Sequence, residues 1–387
     1  MMLVSITHIS TVHPAFDVRI FHKECRSLIN HGFKVNLIIS HNKEETIDGI
    51  HIIPLPFFER RIKRILIKPI LAFIYALKLR SNLYHFHDPE LMPVGIMLKL
   101  FGKKVIYDVH EDVPSQIMDK HWILPHLRYF VSTIVKAIEK FGCLFFDGIV
   151  TATPYVKNKF LKMNKNTIDI NNYPLMIEFA GLKLDGKSKD KKEKIICYIG
   201  AITKARGIVE LIKAVEGTDI KLYLAGTIAP RSLLESLKKE EGWKNVTYFG
   251  QVNRNKAFSI LRKAQIGICL FHPIANHLNC LPNKLFEYMA ASRPIVASSI
   301  PYWKKLLGGL ESISFVDPLN PEKIRSAIQA LISDQEKCHS MGQNGLKAVK
   351  EIYNWESEEK KLIDFYKSLG VFSSRIDVNR ECVTSYE

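Results

Sequence analysis

A chain of 387 residues is too long for one ordinary core and suits two domains, each able to bury a substantial interior. Its hydrophobic share of 47% and charged share of 24% exclude a disordered or fibrous chain. The formal charge of +16 asks for an anionic partner, whether nucleic acid, a phosphorylated substrate or an anionic membrane surface. Seven scattered cysteines with no Cys-x-x-Cys pair argue for reduced thiols, against a disulfide frame or a zinc site built on them.

In chain order, the start Met1-Met2-Leu3-Val4-Ser5-Ile6 lacks a charged n-region, and Thr7, His8 and Ser10 break its apolar stretch. It reads as a first strand, not a signal peptide, and the protein is expected to stay in the cytoplasm. Further strands are predicted over 34–39, 50–53, 83–86, 104–109 and 148–151, with helices between most of them, as over 18–31 and 90–101, which Gly32 and Gly102 terminate. The segment from Glu59 to Pro69 mixes bases with apolar residues, as an interfacial helix does, or a core-packed helix with a solvated basic face. The apolar run over 65–79 is interrupted by Lys68 and Lys78 and falls short of the roughly 20 residues a spanning helix needs. No span is expected.

A stretch rich in Lys and Asp over 181–194 reads as a linker, and a second strand series follows over 195–200, 221–225, 246–249, 266–270 and 294–298. A closing helix over 355–369 carries Leu362, Ile363, Tyr366 and Leu369 at helical spacing, with Gly370 as its stop. The expected fold class is therefore α/β, with two doubly wound Rossmann-like domains facing across a cleft. The first covers 1–180, the linker 181–194 and the second 195–354; the helix 355–370 packs back on the first domain, and 371–387 form a tail. Open α/β sheets bind ligands at the carboxyl ends of their strands, which puts the active site in that cleft. No repeat, Gly-x-Gly-x-x-Gly or phosphate-loop signature occurs.

The most informative segment runs from Asn279 to Ser298. Pro282 suits a first helical turn and Arg293-Pro294 ends the helix before a strand, so the helix N-terminus offers backbone N–H groups to a phosphate, with Lys284 adding a cation. Glu287, over a turn along, suits the two hydroxyls of a ribose. An amphipathic helix with Leu285, Phe286 and Met289 in a core and Glu287 in solvent accounts for the same residues without a ligand.

This segment resembles the donor-binding motif of the retaining family 4 glycosyltransferases, which have the GT-B fold and carry two glutamates eight positions apart. Glu287 matches the second, which holds the ribose; Asn279 stands at the first, which contacts the donor sugar, and Ser292 stands where a glycine is usual. The resemblance implies donor contacts from Asn279, Leu281, Asn283, Lys284 and Glu287. The loop from Tyr198 to Gly207 is similar to the one that clamps the diphosphate: Gly200 lies in it, Arg206 matches the lysine of the clamp and Ala201 replaces its arginine, with Lys204 as the candidate substitute. Gly226, Gly250, Gln251 and Val252 resemble the strand ends that flank the nucleobase.

In the first half, His110 ends a predicted strand where similar proteins place a histidine beside the transferred sugar, so His110, Arg206 and Glu287 are the candidate catalytic residues. Asp17 and Arg19 resemble a variant found in bacterial polysaccharide-assembly members, although Asp17 also suits a helix N-cap. Strand alternation puts His85 and His87 on one face, as a metal site would, but no further ligand cluster is evident in the sequence. The resemblance instead gives His87, Asp88 and Glu90, with Asp17 and Arg19, to the acceptor side. Without an Asp-x-Asp motif no metal is expected, and no cofactor.

The activity so implied is transfer of a sugar, with retention, from a nucleotide-sugar donor, UDP-linked before GDP-linked, to a saccharide or lipid-linked acceptor. An anionic membrane surface is a further candidate partner; nucleic acid is not, for lack of a motif. A sugar-nucleotide epimerase of the same fold and a non-catalytic basic binding protein are the alternatives.

Overall fold

In the computed structural model, residues 3–118, 123–181 and 193–373 are described. Most of the 181–194 linker and of the 371–387 tail lies outside them. The chain divides into two units, one of residues 1–172 with 358–387, the other of Tyr173–Ser357.

Unit 1 is built on an eight-stranded sheet of β1 (Ser5–Pro14), β2 (Lys34–Ser40), β3 (Glu45–Ile47), β4 (Ile50–Leu55), β5 (Leu83–Phe86), β6 (Lys104–Val109), β7 (Gly148–Thr151) and β8 (Thr167–Asp169). The order is β3-β4-β2-β1-β5-β6-β7-β8; only β3 is antiparallel to its neighbour. The central strands are buried on both faces; β2 and β6 are rich in Val, Ile and Leu, whereas β1 buries Thr7, His8, Ser10 and Thr11 and β5 buries His85. The chain winds outward from β1 through β2 and β4, then returns to the other side of β1 with β5. That reversal is the topological switch point of the unit.

β1 runs on to Pro14, after a register shift past Ile9 that pairs Pro14 with Ser40. The helix expected over 18–31 divides into a π-helical segment, Ile20–Cys25, and an α-helix, Arg26–Asn30. Its wide turn is visible in Glu24 N–H donating to Arg19 O, five residues back, at 2.9 Å. The basic stretch from Glu59 opens the helix Arg61–Leu79, in which Ile62, Leu66 and Ile70 are 74%, 63% and 62% exposed. The buried Lys68 of that helix reaches back to donate to Thr11 O at 2.9 Å. No helix among the described residues is long and apolar enough to cross a membrane.

Unit 2 holds six parallel strands, β9 (Ile195–Ile199), β10 (Lys221–Ala225), β11 (Val246–Tyr248), β12 (Ile266–Cys269), β13 (Ile295–Ser298) and β14 (Ile313–Val316), in the order β11-β10-β9-β12-β13-β14. Its switch point lies between β9 and β12. The residues 173–180, expected in the first domain, belong to this unit because their aromatic rings pack there: Tyr173 lies 4.6 Å from Phe286 and Phe179 lies 5.0 Å from Phe258, centroid to centroid.

The helix Trp355–Ser368 starts in unit 2 and is part of unit 1 from Glu358 on. Within unit 1, Glu358 Oε2 accepts Asn171 N–H at 2.7 Å and the Tyr366 hydroxyl meets His85 Nδ1 at 2.6 Å.

Candidate active site

The predicted residues divide between the two units, most of them in segments that follow the carboxyl ends of strands, with Lys284 and Glu287 on the helix Asn283–Ala290. His110, Asp17, Arg19, His87, Asp88 and Glu90 are in unit 1; the donor residues, with Arg206 and Glu287, are in unit 2.

In unit 1 the organising group is Asp108, a fully buried carboxylate on β6 beside His87, which directly follows β5. Arg19 grips it with two hydrogen bonds, Nε to Oδ2 and Nη2 to Oδ1, each 3.0 Å, and donates from Nη1 to Ile170 O at 2.6 Å. His87 Nδ1 and His110 Nε2 lie 3.0 and 3.1 Å from Asp108 Oδ2. Burial alone would raise the Asp108 pKa, but Arg19, His110 and His87 outweigh it and hold the carboxyl well below its usual range. Burial lowers His87 to about 4 despite the hydrogen bond to Asp108, so its imidazole is neutral. Nδ1–H then donates to Asp108, and Nε2 is the acceptor facing His8 Nδ1 at 2.9 Å.

Asp88 and Glu90 tie the loops to one another. Asp88 Oδ2 accepts from Ser10 Oγ at 2.8 Å and from Thr11 N–H at 2.7 Å, while Glu90 takes Thr11 Oγ1 at 2.7 Å and Arg64 at 3.1 Å. Asp17 accepts the backbone N–H groups of Arg19 and Ile20 at 2.8 and 3.0 Å, the capping geometry that its position suggested. His13 bridges Asp17 and Asp88 at 3.5 and 3.6 Å; these two carboxylates raise its pKa against the effect of burial. Its ring centroid lies 4.6 Å from that of His110, and these two are the partly exposed histidines of the cluster.

In unit 2 the floor of the edge is made by strand ends that close on one another. Gly200 N–H donates to Ala225 O at 2.9 Å and Gly226 N–H to Gly250 O at 2.7 Å. Gly226, at φ +141°, could carry no Cβ, which would lie 1.9 Å from Gly200 O. The helix Asn283–Ala290 begins beside this floor with Pro282 at its cap position. Its buried face takes Leu285, Phe286 and Met289, as the ligand-free account expected, and also Lys284.

Lys284 is the anomaly. Its Nζ is buried without a hydrogen-bond partner and lies 3.4 Å from the centroid of the Tyr198 ring. A Cβ on Gly200 would stand 3.3 Å from it. Burial, assisted by the nearby Arg206, lowers its pKa to about 7 although the Cys269 thiol opposes the shift. Arg206 itself packs over Phe271, 5.2 Å from the ring centroid, with Nη1 donating to Ala201 O at 3.3 Å. Lys204 is exposed.

Glu287 Oε1 accepts from Arg254 Nη1 at 2.5 Å, and Arg254 Nη2 donates to Glu178 Oε2 at 2.6 Å. Among the described residues Glu287 Oε2 has no hydrogen bond. Asn279 is half-buried behind the short helix Ala275–Leu278, Leu281 and Val252 pack on the core, Asn283 is exposed, and the exposed Gln251 accepts from Thr227 at 3.5 Å. Ser292 takes φ +52°, the left-handed backbone that glycine adopts at least cost.

Sequence reasoning missed Asp108, Glu24, His8 and Arg254. Asp108 was signalled by its place two residues before His110, on the same strand face. Arg254 opens a polar helix, Arg254–Lys263, and carried no signal of its own.

Residues 183–348 match the family described as "Glycosyl transferases group 1". An uncharacterized glycosyltransferase of Methanocaldococcus jannaschii is 27% identical over 245 residues, 61% of this chain; the match spans 59% of that relative's length. Among solved structures, sucrose-phosphate synthase from Thermosynechococcus elongatus superposes with a TM-score of 0.75 at 20% identity, covering 95% of this chain and 99% of that one. HepE of Anabaena, in complex with UDP-glucose, gives 0.71 at 10% identity, covering 95% and 100%. The fold is GT-B, and a group 1 glycosyl transferase match overlies the strands β9–β14 of unit 2.

Proposed function

We propose that the protein is a retaining glycosyltransferase of family 4, which moves a sugar from a nucleotide diphosphate sugar to a saccharide or lipid-linked acceptor in bacterial polysaccharide assembly. The observation that carries this reading is Lys284, a buried amine with no partner at the switch point of unit 2, beside glycine strand ends and a helix N-terminus. Such a group suits a ligand that brings negative charge, and a diphosphate does. UDP is favoured over GDP because HepE, a neighbour in fold, is described with UDP-glucose. The Asp17 and Arg19 loop supports the polysaccharide setting through its resemblance to assembly enzymes.

In this reading Glu287 holds the ribose with the oxygen that Arg254 leaves open. Arg206, Lys284 and the N–H groups at Asn283 meet the charge that grows on the diphosphate as its bond to the sugar breaks, and being fixed beforehand they need no reorganisation at that moment. The acceptor oxygen forms its bond to the sugar carbon on the face the phosphate leaves, and the departing phosphate takes the acceptor proton. His110, half-exposed and hydrogen-bonded to Asp108, serves the transferred sugar. The exposed stripe of Ile62, Leu66 and Ile70, beside the bases Arg61 and Lys63, suits a cytoplasmic protein resting on an anionic membrane face where a lipid-linked acceptor lies.

Titration of the purified chain with UDP-, GDP- and dTDP-sugars, followed by product analysis with lipid-linked acceptors, tests the reading. It expects one nucleotide sugar to bind and its sugar to appear on the acceptor with the anomeric configuration kept. Epimerised donor with no acceptor product, or no binding of any nucleotide sugar, overturns it.

A further inference from the structure

We propose that His8, Glu24, His85 and His87 form a buried site for one divalent transition-metal ion of the zinc class, beneath the switch point of unit 1. The sheet brings three of them together by register alone. His8 and His85 are directly paired across β1 and β5, and His87 follows two residues later on the same face. The three ring centroids are 4.7, 4.8 and 5.1 Å apart. Glu24 comes from the π-helical segment packed over that face, and all four side chains are buried.

The distances are those of a ligand set. Glu24 Oε2 lies 3.8 Å from His8 Nδ1 and 3.9 Å from His87 Nε2, which are themselves 2.9 Å apart. Tetrahedral ligands about 2.0–2.1 Å from a zinc ion stand about 3.3 Å from one another, so small side-chain adjustments centre an ion among them. One candidate donor atom from each of the four residues lies within 4.8 Å of all the others.

A purely hydrogen-bonded core accounts for the contact between His8 and His87 but not for the rest. Glu24 Oε2 and His85 Nε2 are buried without a hydrogen-bond partner, while Glu24 Oε1 has only its ion pair with Arg19. Leaving a buried carboxylate oxygen and an imidazole nitrogen unmet is costly, and a cation takes up both lone pairs together. The outer contacts are also those that orient metal ligands. His87 holds Asp108 through its other nitrogen at 3.0 Å, His85 holds the Tyr366 hydroxyl at 2.6 Å, and Glu24 Oε1 stands 3.0 Å from Arg19 Nε, turning Oε2 toward the imidazoles.

Arg19 is shared between two buried carboxyls, Asp108 and Glu24. A nearby alternative set of His87, Asp108 and His110 is less prepared, since both Asp108 oxygens are already held by Arg19. Imidazole nitrogens with one carboxylate select zinc or cobalt over magnesium or calcium. With four protein ligands the site is closed, and the ion ties β1, β5 and the π-helical segment together as a structural element.

The test uses the full chain without a histidine tag, stripped with a chelator and titrated with Co²⁺. One equivalent should bind with the visible d–d bands of a tetrahedral ion, and Zn²⁺ should displace it and raise the unfolding temperature. Glu24→Gln and His85→Phe should each weaken Co²⁺ binding about tenfold or more, and His110→Ala should leave it unchanged. A folded parent chain that binds no Co²⁺, or shows only octahedral bands, overturns the proposal without recourse to any variant. So does loss of the bands in His110→Ala with retention in Glu24→Gln, which would move the ion to the alternative set. Donor binding has no part in these readouts.

Discussion

Lys284 Nζ stands 3.4 Å from the centre of the Tyr198 ring with no oxygen to receive its protons. The face of that ring, with the Phe271 ring at 5.8 Å, stands in for a hydrogen-bond acceptor, and burial leaves the pKa of the amine at about 7. An arriving diphosphate would supply the missing partner and favour the protonated form.

Nucleotide binding should therefore take up a proton above about pH 7, so that UDP affinity falls as pH rises from about 7 toward 9. Calorimetry in buffers of different ionisation heat measures the uptake directly. Lys284→Met should lose about 10- to 100-fold in affinity, the worth of a charge-assisted hydrogen bond, and lose the pH slope with it. An unchanged slope in the variant would take Lys284 out of the donor site.

The same lysine has an opposite effect on stability. Its folded pKa lies below the unfolded value of about 10.4, so between about pH 7 and 10 the unfolded chain binds the extra proton and this group's contribution to stability rises with pH. Lys284→Met removes that dependence and should be more stable than the parent at neutral pH, with the gap closing toward pH 10. Thermal unfolding of both proteins across this range decides it; a less stable variant at pH 7 contradicts the buried-amine account.

Arg254 positions Glu287 through the 2.5 Å bond and is itself held by Glu178. Arg254→Met should weaken UDP binding about 3- to 10-fold, less than Glu287→Gln, and the double variant should cost less than the two effects summed. Strict additivity in a binding titration would mean that Arg254 does not act through Glu287.

The pair of Arg19 and Asp108 is fully buried and bidentate. Asp108→Asn removes the bidentate carboxylate and leaves Arg19 with Glu24 as its one buried acidic partner, and should destabilise the chain by about 3–5 kcal/mol, read from urea unfolding. A loss under about 1 kcal/mol would show that the pair is not the anchor of the unit 1 edge.

The strands that carry the site were legible because apolar runs buried on both faces leave little room for another assignment, and Asn283–Ala290 was legible from its Pro and Arg-Pro punctuation. Three short strands escaped notice: Glu45–Ile47, Thr167–Asp169 and Ile313–Val316, each of three or four residues at or near a sheet edge. Glu24 escaped for a different reason. Helical periodicity looks three or four residues beyond Arg19, whereas the π turn brings its partner at the fifth. The residues from Tyr173 to Ala180 were assigned to the first domain because irregular backbone shows no period, and only the ring contacts with Phe286 and Phe258 reveal where they pack.

The bond between His85 and Tyr366 joins residues 281 positions apart. A ribosome that has released the whole of the first sheet has still to make the second unit before the helix that completes the first can dock. Until then the buried histidine layer lacks the Tyr366 hydroxyl, and nascent unit 1 has to wait, incomplete, for the last part of the chain.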